Sequence, residues 1–487
     1  MPTKQIATST LWQMASQITM AALSILTVKF VAVGLSQELA GTYNSAYGFL
    51  QLFGILADFG LYAVAVREVS RATDKERVLG TLIVLRTVIL LLSLGSAIVL
   101  VWILPAWQGT PLPLAVTIAS LVPFFTLLAG ILRTVFQVTY SMHTVFIAEV
   151  TQRIFTAAAI GAFIVAGFRE SDDVMLCFAF LAIGGAGALI LLLLSLYFSQ
   201  SRIRPRLVFD RGEMLRMLKQ AAPFGLAFLC TALYRQLDVT LIALLRPDFE
   251  LQNAYYGFVL RMADMGYLLP TFLLNSVLPV LSSMESKSNE ARALLGKTLL
   301  LLLILGSVSA LFSALWTRPL VLLLTREAYL STATTPGSDT ALALLALPMF
   351  LNGLVTFGFY TLLSGNAWKP LVASLSIGAV LSVALNLVLI PQQGFVGAGI
   401  TSIITHIVLT VLLLPQALRR MPVALPWNHI GRWLAFTTLL AASLWMYQPF
   451  LLGEIATVIG LMSMSVLLVV LFVLCGLHTT VLPRRAE

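Results

Sequence analysis

The sequence predicts an all-α integral membrane protein. Hydrophobic residues make up 59% of the 487 residues and charged residues only 10%, and the mean hydropathy is +0.95. Apolar runs of about 20 residues, enough for a helix to cross the ~30 Å hydrocarbon layer, recur from end to end. Because a bilayer offers no water to backbone N–H and C=O groups, such runs must become helices. The connectors are short and leave no soluble domain of useful size.

About fourteen transmembrane helices are predicted in chain order. They fall near residues 11–34, 43–66, 79–104, 113–136, 145–167, 174–198, 218–245, 253–282, 294–316, 340–364, 369–390, 395–418, 431–449 and 454–476.

The chain contains a weak internal repeat. The stretches AYGFLQLFGILADFG at 46–60 and YYGFVLRMADMGYLL at 255–269 are offset by about 209 residues. Two halves repeated in this way are a common transporter plan, with the substrate site at the repeat interface. We therefore expect two pseudo-symmetric six-helix lobes around a central cavity. The N-terminal lobe is predicted at 1–200, the C-terminal lobe at 201–418, and two C-terminal helices with a tail at 419–487.

The distribution of Lys and Arg predicts the orientation. Most of the 30 basic residues lie on connectors that face the cytoplasm if both termini are cytoplasmic. This asymmetry accounts for the net charge of +9 without a nucleic-acid partner, and the basic connectors also suit anionic membrane lipids. The three Cys and four His are scattered and no phosphate-binding Gly motif is present, so no metal, disulfide framework or cofactor is expected.

Polar residues recur along one face of four predicted helices, which indicates a shared interior cavity. These are the first two helices of each half. The candidate substrate-binding residues on these faces are Gln17, Gln51, Asp58, Tyr234, Arg235, Asp238, Asn253, Arg261, Asp264 and Asn275.

The charges within the apolar runs also have structural interpretations. Each R-x-x-D pair, Arg235 with Asp238 and Arg261 with Asp264, can neutralise itself as i,i+3 neighbours on a helix. Asp58 has no cation within a turn before it, so it is either a hydrogen-bonded packing residue or a titratable gating group. The charges near the helix ends are expected to be structural, with Glu149 and Arg153 as an i,i+4 pair.

Three segments carry a family resemblance. GTYNSAYGFLQLFGILADFGLYAVAVREVSR at 41–71 contains Gly41, Asp58 and Gly60, and YRQLDVTLIALL…AYYGFVLRM at 234–262 contains Asp238, Tyr256 and Arg261. LNLVLIPQQGFVGAGITSIIT at 385–405 supplies the third match. In this order and spacing they resemble the polysaccharide transporter family, which includes the oligosaccharide-lipid (Wzx-type) flippases of the multidrug/oligosaccharidyl-lipid/polysaccharide exporter superfamily. The segment LVLLLTREAYLS departs from the family pattern, since relatives often have a Gly where this chain has TRE.

The resemblance implies a transporter, not an enzyme, in the bacterial inner membrane. It implies a substrate with a polyprenyl tail, a pyrophosphate and an oligosaccharide head, moved by alternating access. The arginines suit the pyrophosphate, the amides of Gln17, Gln51, Asn253 and Asn275 suit sugar hydroxyls, and a proton or sodium ion is a candidate coupling ion. Two alternatives remain at this stage: a multidrug or other small-solute exporter with an acidic cavity, and a membrane polysaccharide polymerase or ligase.

Overall fold

A computed structural model describes residues 2–58, 60–139, 141–200, 202, 205–283, 288–365, 367–424 and 427–481. Within these ranges, the side chains of some helical residues, including Gln17 and Tyr62, lie outside the described set. The described residues fold into α-helices joined by short connectors, with one isolated two-residue bridge between Leu35 and Ser171. The prediction of an all-α protein is confirmed.

The chain divides into two compact units, Met1–Gly257 and Phe258–Glu487. The helices that begin in the first unit are α1 (Pro2–Gly34), α2 (Gln37–Asp58), α3 (Leu61–Arg71), α4 (Lys75–Ile103), α5 (Leu112–Ala119), α6 (Leu121–Val138), α7 (Met142–Val165), α8 (Val174–Ser199), α9 (Arg211–Arg235), α10 (Leu237–Leu245) and α11 (Phe249–Ser283). The boundary between the units falls within α11. The predicted lobe boundaries near 200 and 418 therefore remain predictions.

The second unit continues from α11 through eight further helices. They are α12 (Asn289–Leu315), α13 (Thr317–Leu324), α14 (Ser338–Ser364), α15 (Trp368–Gln393), α16 (Phe395–Arg420), α17 (Trp427–Tyr447), α18 (Glu454–Leu474) and α19 (His478–Val481). Indole hydrogen bonds tie the last membrane helices to the rest of this unit. Trp316 Nε1 donates to the carbonyl of Leu444 over 2.9 Å, and Trp433 Nε1 donates to Ser307 Oγ over 3.1 Å.

Within the described residues, ten helical segments are long and apolar enough to cross a membrane, or eleven if the bent pair α9–α10 is one span. These eleven coincide with predicted spans 3 to 12 and 14. Span 1 coincides with α1 and span 13 with α17, whereas span 2 runs from α2 across the turn at Gly60 into α3; none of these helices belongs to that set. The protein is thus a multi-pass membrane protein, and the count of fourteen remains a prediction.

The seventh predicted span is broken where the sequence predicts one straight helix. Helix α9 ends at Arg235, α10 begins at Leu237, and the two axes differ by 51°. No Pro or Gly stands at the break, whereas Pro223 lies inside α9 without ending it. The start of α10 is stabilised by Asp238, whose Oδ1 accepts the backbone N–H of Val239 over 2.9 Å. This local hydrogen bond lies within α10 itself and cannot be read from hydropathy.

Candidate functional site

A cavity of about 210 Å³ lies within the first unit, between the end of α2, the start of α3 and the last turns of α9. Its lining residues come from these two parts of the chain: Ile55, Asp58 and Gly60, and Phe228, Thr231, Ala232, Arg235 and Gln236. The structure thus brings two of the predicted site residues, Asp58 and Arg235, to one cavity. Thr231 and Gln236 add polar groups to the lining, and Ile55 and Phe228 add apolar ones.

Gly60 allows the α2–α3 turn to lie against α9. Its φ is +69°, a left-handed conformation that favours glycine, and a Cβ there would lie 2.7 Å from Phe224 Cβ. The same glycine is the N-cap of α3. This close approach positions the last residue of α2, Asp58, at the cavity wall.

Asp58 forms an ion pair with Arg86 of α4. The Arg86 side chain is 4% exposed, whereas that of Asp58 is 34% exposed. Asp58 has no cation within a turn before it in the sequence, because its partner stands 28 residues further along the chain. A packing role and a gating role for Asp58 both remain predictions. The only sequence signal for the pair is a second isolated charge in an apolar run. The buried Arg86 guanidinium binds the Asp58 carboxylate, and the Asp58 side chain remains partly accessible at the cavity.

The break after Arg235 places a helix start beside the cavity. Gln236, a lining residue, is the N-cap of α10, and its side chain does not cap the helix. Helix N-termini carry partial positive charge on N–H groups that lack intrahelical acceptors. At α10 the Asp238 carboxylate of the first turn already accepts the Val239 N–H, so the Arg235 guanidinium is the group at the break that favours an anion.

The same break changes the environment of the first R-x-x-D pair. Arg235 lines the cavity, whereas Asp238 lies in the first turn of α10 and is 7% exposed. Its Oδ2 accepts a hydrogen bond of 2.5 Å from the hydroxyl of the fully buried Tyr256. The chain bends by 51° between Arg235 and Asp238, so the two residues do not lie on one straight helix, and their pairing remains a prediction. Asp238 fastens α10 to α11.

Asn253 is fully buried in a hydrogen-bond network between α2, α10 and α11. Its Nδ2 donates to Ser45 Oγ over 2.8 Å and to the backbone carbonyl of Val239 over 3.0 Å, and its backbone carbonyl accepts from Asn44 Nδ2 over 3.2 Å. Asn44 and Asn253 are 209 residues apart, the offset of the internal repeat. The internal repeat itself remains a prediction.

The helices approach each other closely at this network. A Cβ on Gly41 would lie 1.6 Å from the carbonyl oxygen of Glu250, and one on Gly257 would lie 2.6 Å from Asn44 Cβ. No L side chain larger than glycine fits Gly41 without a backbone shift. In this conformation α2 and the start of α11 leave no room for a solute between them.

The other predicted site residues of the first unit are dispersed. Tyr234 is buried within α9, and Gln51 is exposed on α2. The side chain of Gln17 lies outside the described residues.

In the second unit, the remaining candidates lie along α11. Arg261 and Asp264 are half-buried, and exposed Asn275 accepts a 2.8 Å hydrogen bond from the hydroxyl of Tyr360. These residues remain predicted site residues.

Two further groups of charges have structural roles. Glu149 of α7 accepts a 3.1 Å hydrogen bond from Arg133 and another from Ser16, so its contacts reach beyond the predicted partner Arg153.

Asp248 lies on the connector before α11. Burial raises the pKa of its carboxyl, but hydrogen bonds from Arg246 and Gln252 outweigh the effect of burial and hold that pKa below its usual value. No group of three or more His, Cys, Asp or Glu side chains among the described residues could hold a metal ion.

Comparison with known proteins identifies the family. Residues 6–285 match the sequence model of the family described as "Polysaccharide biosynthesis protein". Comparison with curated protein sequences gives no significant match.

Solved structures share the fold at low sequence identity. The lipid II flippase MurJ in an inward closed conformation has a TM-score of 0.71 and 14% identity, over 96% of this chain and 98% of its own. An inward-facing multidrug resistance MATE family transporter of the MOP superfamily has a TM-score of 0.66 and 13% identity, over 85% and 98%. Its outward-facing counterpart has a TM-score of 0.57 and 14% identity, over 86% and 96%. The chain is a member of the polysaccharide biosynthesis protein family and has the all-helical fold of the MurJ and MATE transporters.

Proposed function

We propose that the protein is a flippase for a polyprenyl-pyrophosphate-linked oligosaccharide. It carries this lipid from the cytoplasmic to the outer leaflet of the bacterial inner membrane for cell-surface polysaccharide synthesis, with both termini in the cytoplasm. The observation that carries the proposal is Arg235, an arginine at a helix break in the wall of a membrane-protein cavity. The matched family and the flippase fold support it.

The pyrophosphate is the part of this substrate that most resists crossing a bilayer. Taking it out of water requires fixed donors and positive charge to replace its hydration. The Arg235 guanidinium presents a planar fork that matches phosphate oxygens. The first turn of α10 already holds the Asp238 carboxylate, so we assign the pyrophosphate to Arg235 and not to the helix N-terminus.

The size of the cavity limits what it can hold. At about 210 Å³ it is smaller than the roughly 300–1,000 Å³ of sites that enclose drug-sized ligands. We assign it to the pyrophosphate and the adjoining sugar, with Thr231 and Gln236 as hydroxyl and amide partners. The rest of the oligosaccharide extends beyond it, and the polyprenyl tail stays in the lipid, since apolar tails need no protein pocket.

Asp58 gives the cavity a fixed negative charge beside the cationic group. We assign to it the role of weakening anion binding so that the substrate can leave, or of taking up a coupling proton or sodium ion. Asp238 is the weaker candidate for this role because it is buried and hydrogen-bonded to Tyr256. Transport by Asp58→Asn that has the wild-type dependence on pH and on sodium would exclude the coupling role.

Alternating access requires the contact between α2 and α11 to open. Ser45 and Asn253 are hydrogen-bonded across it, so cysteines at these two positions can test the opening. Oxidation of the Ser45→Cys/Asn253→Cys double variant should stop transport, and a reducing agent should restore it, while each single variant is unaffected by oxidant. Undiminished transport in a fully cross-linked sample would exclude a route through this contact.

A small-solute exporter is the second candidate, favoured by the shared fold with MATE transporters. The two functions are separated in proteoliposomes of the purified full-length protein. We expect a fluorescent polyprenyl-pyrophosphate oligosaccharide to become accessible to a membrane-impermeant quencher faster than in protein-free liposomes. Efflux of an organic cation without lipid translocation would favour the exporter, and conversion of the lipid to a longer saccharide would favour a polymerase or ligase.

A further inference from the structure

We propose that the start of α9 and the residues before it form a binding site for an anionic phospholipid of the surrounding bilayer. We call residues 205–219 the basic apolar segment. Its exposed side chains are of two kinds, cationic and apolar: Arg206, Arg211, Arg216 and Lys219, and Leu207, Phe209 and Leu215. The proposal concerns a lipid that is not transported, and it does not depend on the identity of the substrate.

The backbone of the basic apolar segment is held in place by α4. The N–H of Arg206 donates to the carbonyl of Glu76 over 3.0 Å, and Arg77 donates to Asp210 Oδ2 over 3.0 Å. Asp210 in turn caps α9 by accepting the N–H of Glu213 over 3.0 Å. The segment therefore presents a preformed surface and not a loose loop.

The first turns of α9 have two different faces. Met214 and Met217 are buried in an apolar cluster with residues of α3, α4 and α6. Arg211, Leu215 and Lys219 are spaced four residues apart, which places them on one exposed stripe. A stripe of alternating cationic and apolar side chains is typical of helices that lie at the membrane–water interface.

The cations of the basic apolar segment differ in whether a carboxylate lies within ion-pair distance. Arg216 pairs with Glu68 and Glu213 at 3.2 and 3.4 Å. Arg206, Arg211 and Lys219, by contrast, form no ion pair with any residue that the structure describes. Three exposed cations without a carboxylate partner in the described chain attract an external anion.

The apolar side chains indicate that this anion belongs to a lipid. Phe209 is 72% and Leu207 66% exposed, next to the unpaired cations. A soluble phosphate or an acidic peptide would leave these side chains in water, whereas a phospholipid offers a phosphate to the cations and acyl chains to the apolar groups. The position fits, because the candidate span α8 ends at Ser199 and α9 is the first part of the bent pair α9–α10, the next candidate span.

Native mass spectrometry of the full-length protein in detergent tests the proposal, with phosphatidylglycerol and neutral phosphatidylcholine as probes. We expect the wild type to retain phosphatidylglycerol in preference to phosphatidylcholine. The triple variant Arg206→Gln/Arg211→Gln/Lys219→Gln should bind phosphatidylglycerol about tenfold or more weakly. The matched control, with the same loss of three charges, removes exposed cations of the second unit: Lys369→Gln/Arg419→Gln/Arg420→Gln.

The control should keep wild-type affinity. Equal weakening in both triple variants would show that net charge alone attracts the lipid, and a wild type without preference for phosphatidylglycerol would exclude the site. The single exposed changes Phe209→Ser and Lys219→Gln repeat the test with little risk to folding. Each should weaken retention of phosphatidylglycerol, and unchanged retention in both would also overturn the proposal.

Discussion

Replacing Asp58 by leucine should destabilise the protein more than replacing its partner Arg86. Asp58→Leu leaves the Arg86 guanidinium, 4% exposed, without this carboxylate, and removing one partner of a buried ion pair costs about 3–5 kcal/mol. Arg86→Leu leaves a carboxylate that is 34% exposed at the cavity, where water can hydrate it. We expect this second change to cost about 1–3 kcal/mol.

The double variant Asp58→Leu/Arg86→Leu removes both charges, so its loss should be smaller than the sum of the single losses by at least about 1 kcal/mol. Denaturant midpoints of the purified protein in detergent measure the three losses. Asp172→Leu, which changes an exposed carboxylate on a connector, is the control and should stay within about 0.5 kcal/mol of the wild type. A larger loss for Arg86→Leu than for Asp58→Leu, or simple additivity in the double variant, would refute this account of the pair.

Three further predictions concern packing and pH. Gly41→Val should lower the melting temperature by several degrees or prevent folding, because a Cβ there would lie 1.6 Å from the Glu250 carbonyl oxygen; wild-type melting would show that the α2–α11 contact is looser than described. Tyr256→Phe should cost about 1.5–3 kcal/mol, because it removes a 2.5 Å hydrogen bond to the buried Asp238 carboxylate, and a loss under about 0.5 kcal/mol in denaturant unfolding would contradict this. Burial raises the pKa of Asp248 but its hydrogen bonds outweigh that effect and lower it, so the carboxylate stabilises the fold above its unfolded pKa of about 3.9. The melting temperature of Asp248→Asn should therefore lie below that of the wild type at pH 7, the gap should close as the pH falls below about 4, and a gap that persists at pH 2 would contradict the assignment.

Hydropathy alone is enough to predict the class of the protein and the approximate position of its helices. All fourteen predicted spans coincide with helical residues, because an apolar run in a bilayer has no other way to satisfy its backbone. Asn44 and Asn253, which are hydrogen-bonded, are also 209 residues apart, while the repeat itself remains a prediction. These features follow from patterns that are local or periodic in sequence.

The detailed arrangement of charges could not be predicted in the same way. The cation that pairs with Asp58 stands on another helix, 28 residues away, and periodicity describes only neighbours on one helix. The break at Gln236 has no Pro or Gly to signal it. The sequence alone therefore predicts one continuous helix with Arg235 and Asp238 as i,i+3 neighbours. Asp58 and Arg235 can nevertheless be identified as candidate site residues from the sequence, because isolated charges in apolar runs are costly and need an accessible or paired environment.

The roles of the glycines became clear only with the structure. Gly41 and Gly60 belong to the segment that carries the family resemblance, but the residue type alone does not say what each glycine does. Gly41 permits the close approach of α2 to the backbone of Glu250, and Gly60 combines a φ of +69° with close packing against Phe224. A side chain at either position would collide with a specific neighbour: Glu250 at the α2–α11 contact for Gly41, and Phe224 at the cavity for Gly60.

The central claim is that Arg235 binds the pyrophosphate of the transported lipid. We would measure translocation of a polyprenyl-pyrophosphate oligosaccharide in proteoliposomes for the wild type, Arg235→Gln and Arg235→Lys, with Arg169→Gln, an exposed arginine on a connector, as the control. Loss of a charge-assisted hydrogen bond is worth about 1.5–3 kcal/mol, so Arg235→Gln should slow translocation at subsaturating lipid about tenfold to a hundredfold. Arg235→Lys should retain part of the rate and Arg169→Gln all of it. A wild-type rate in Arg235→Gln, with the protein folded and the wild type active, would contradict the claim.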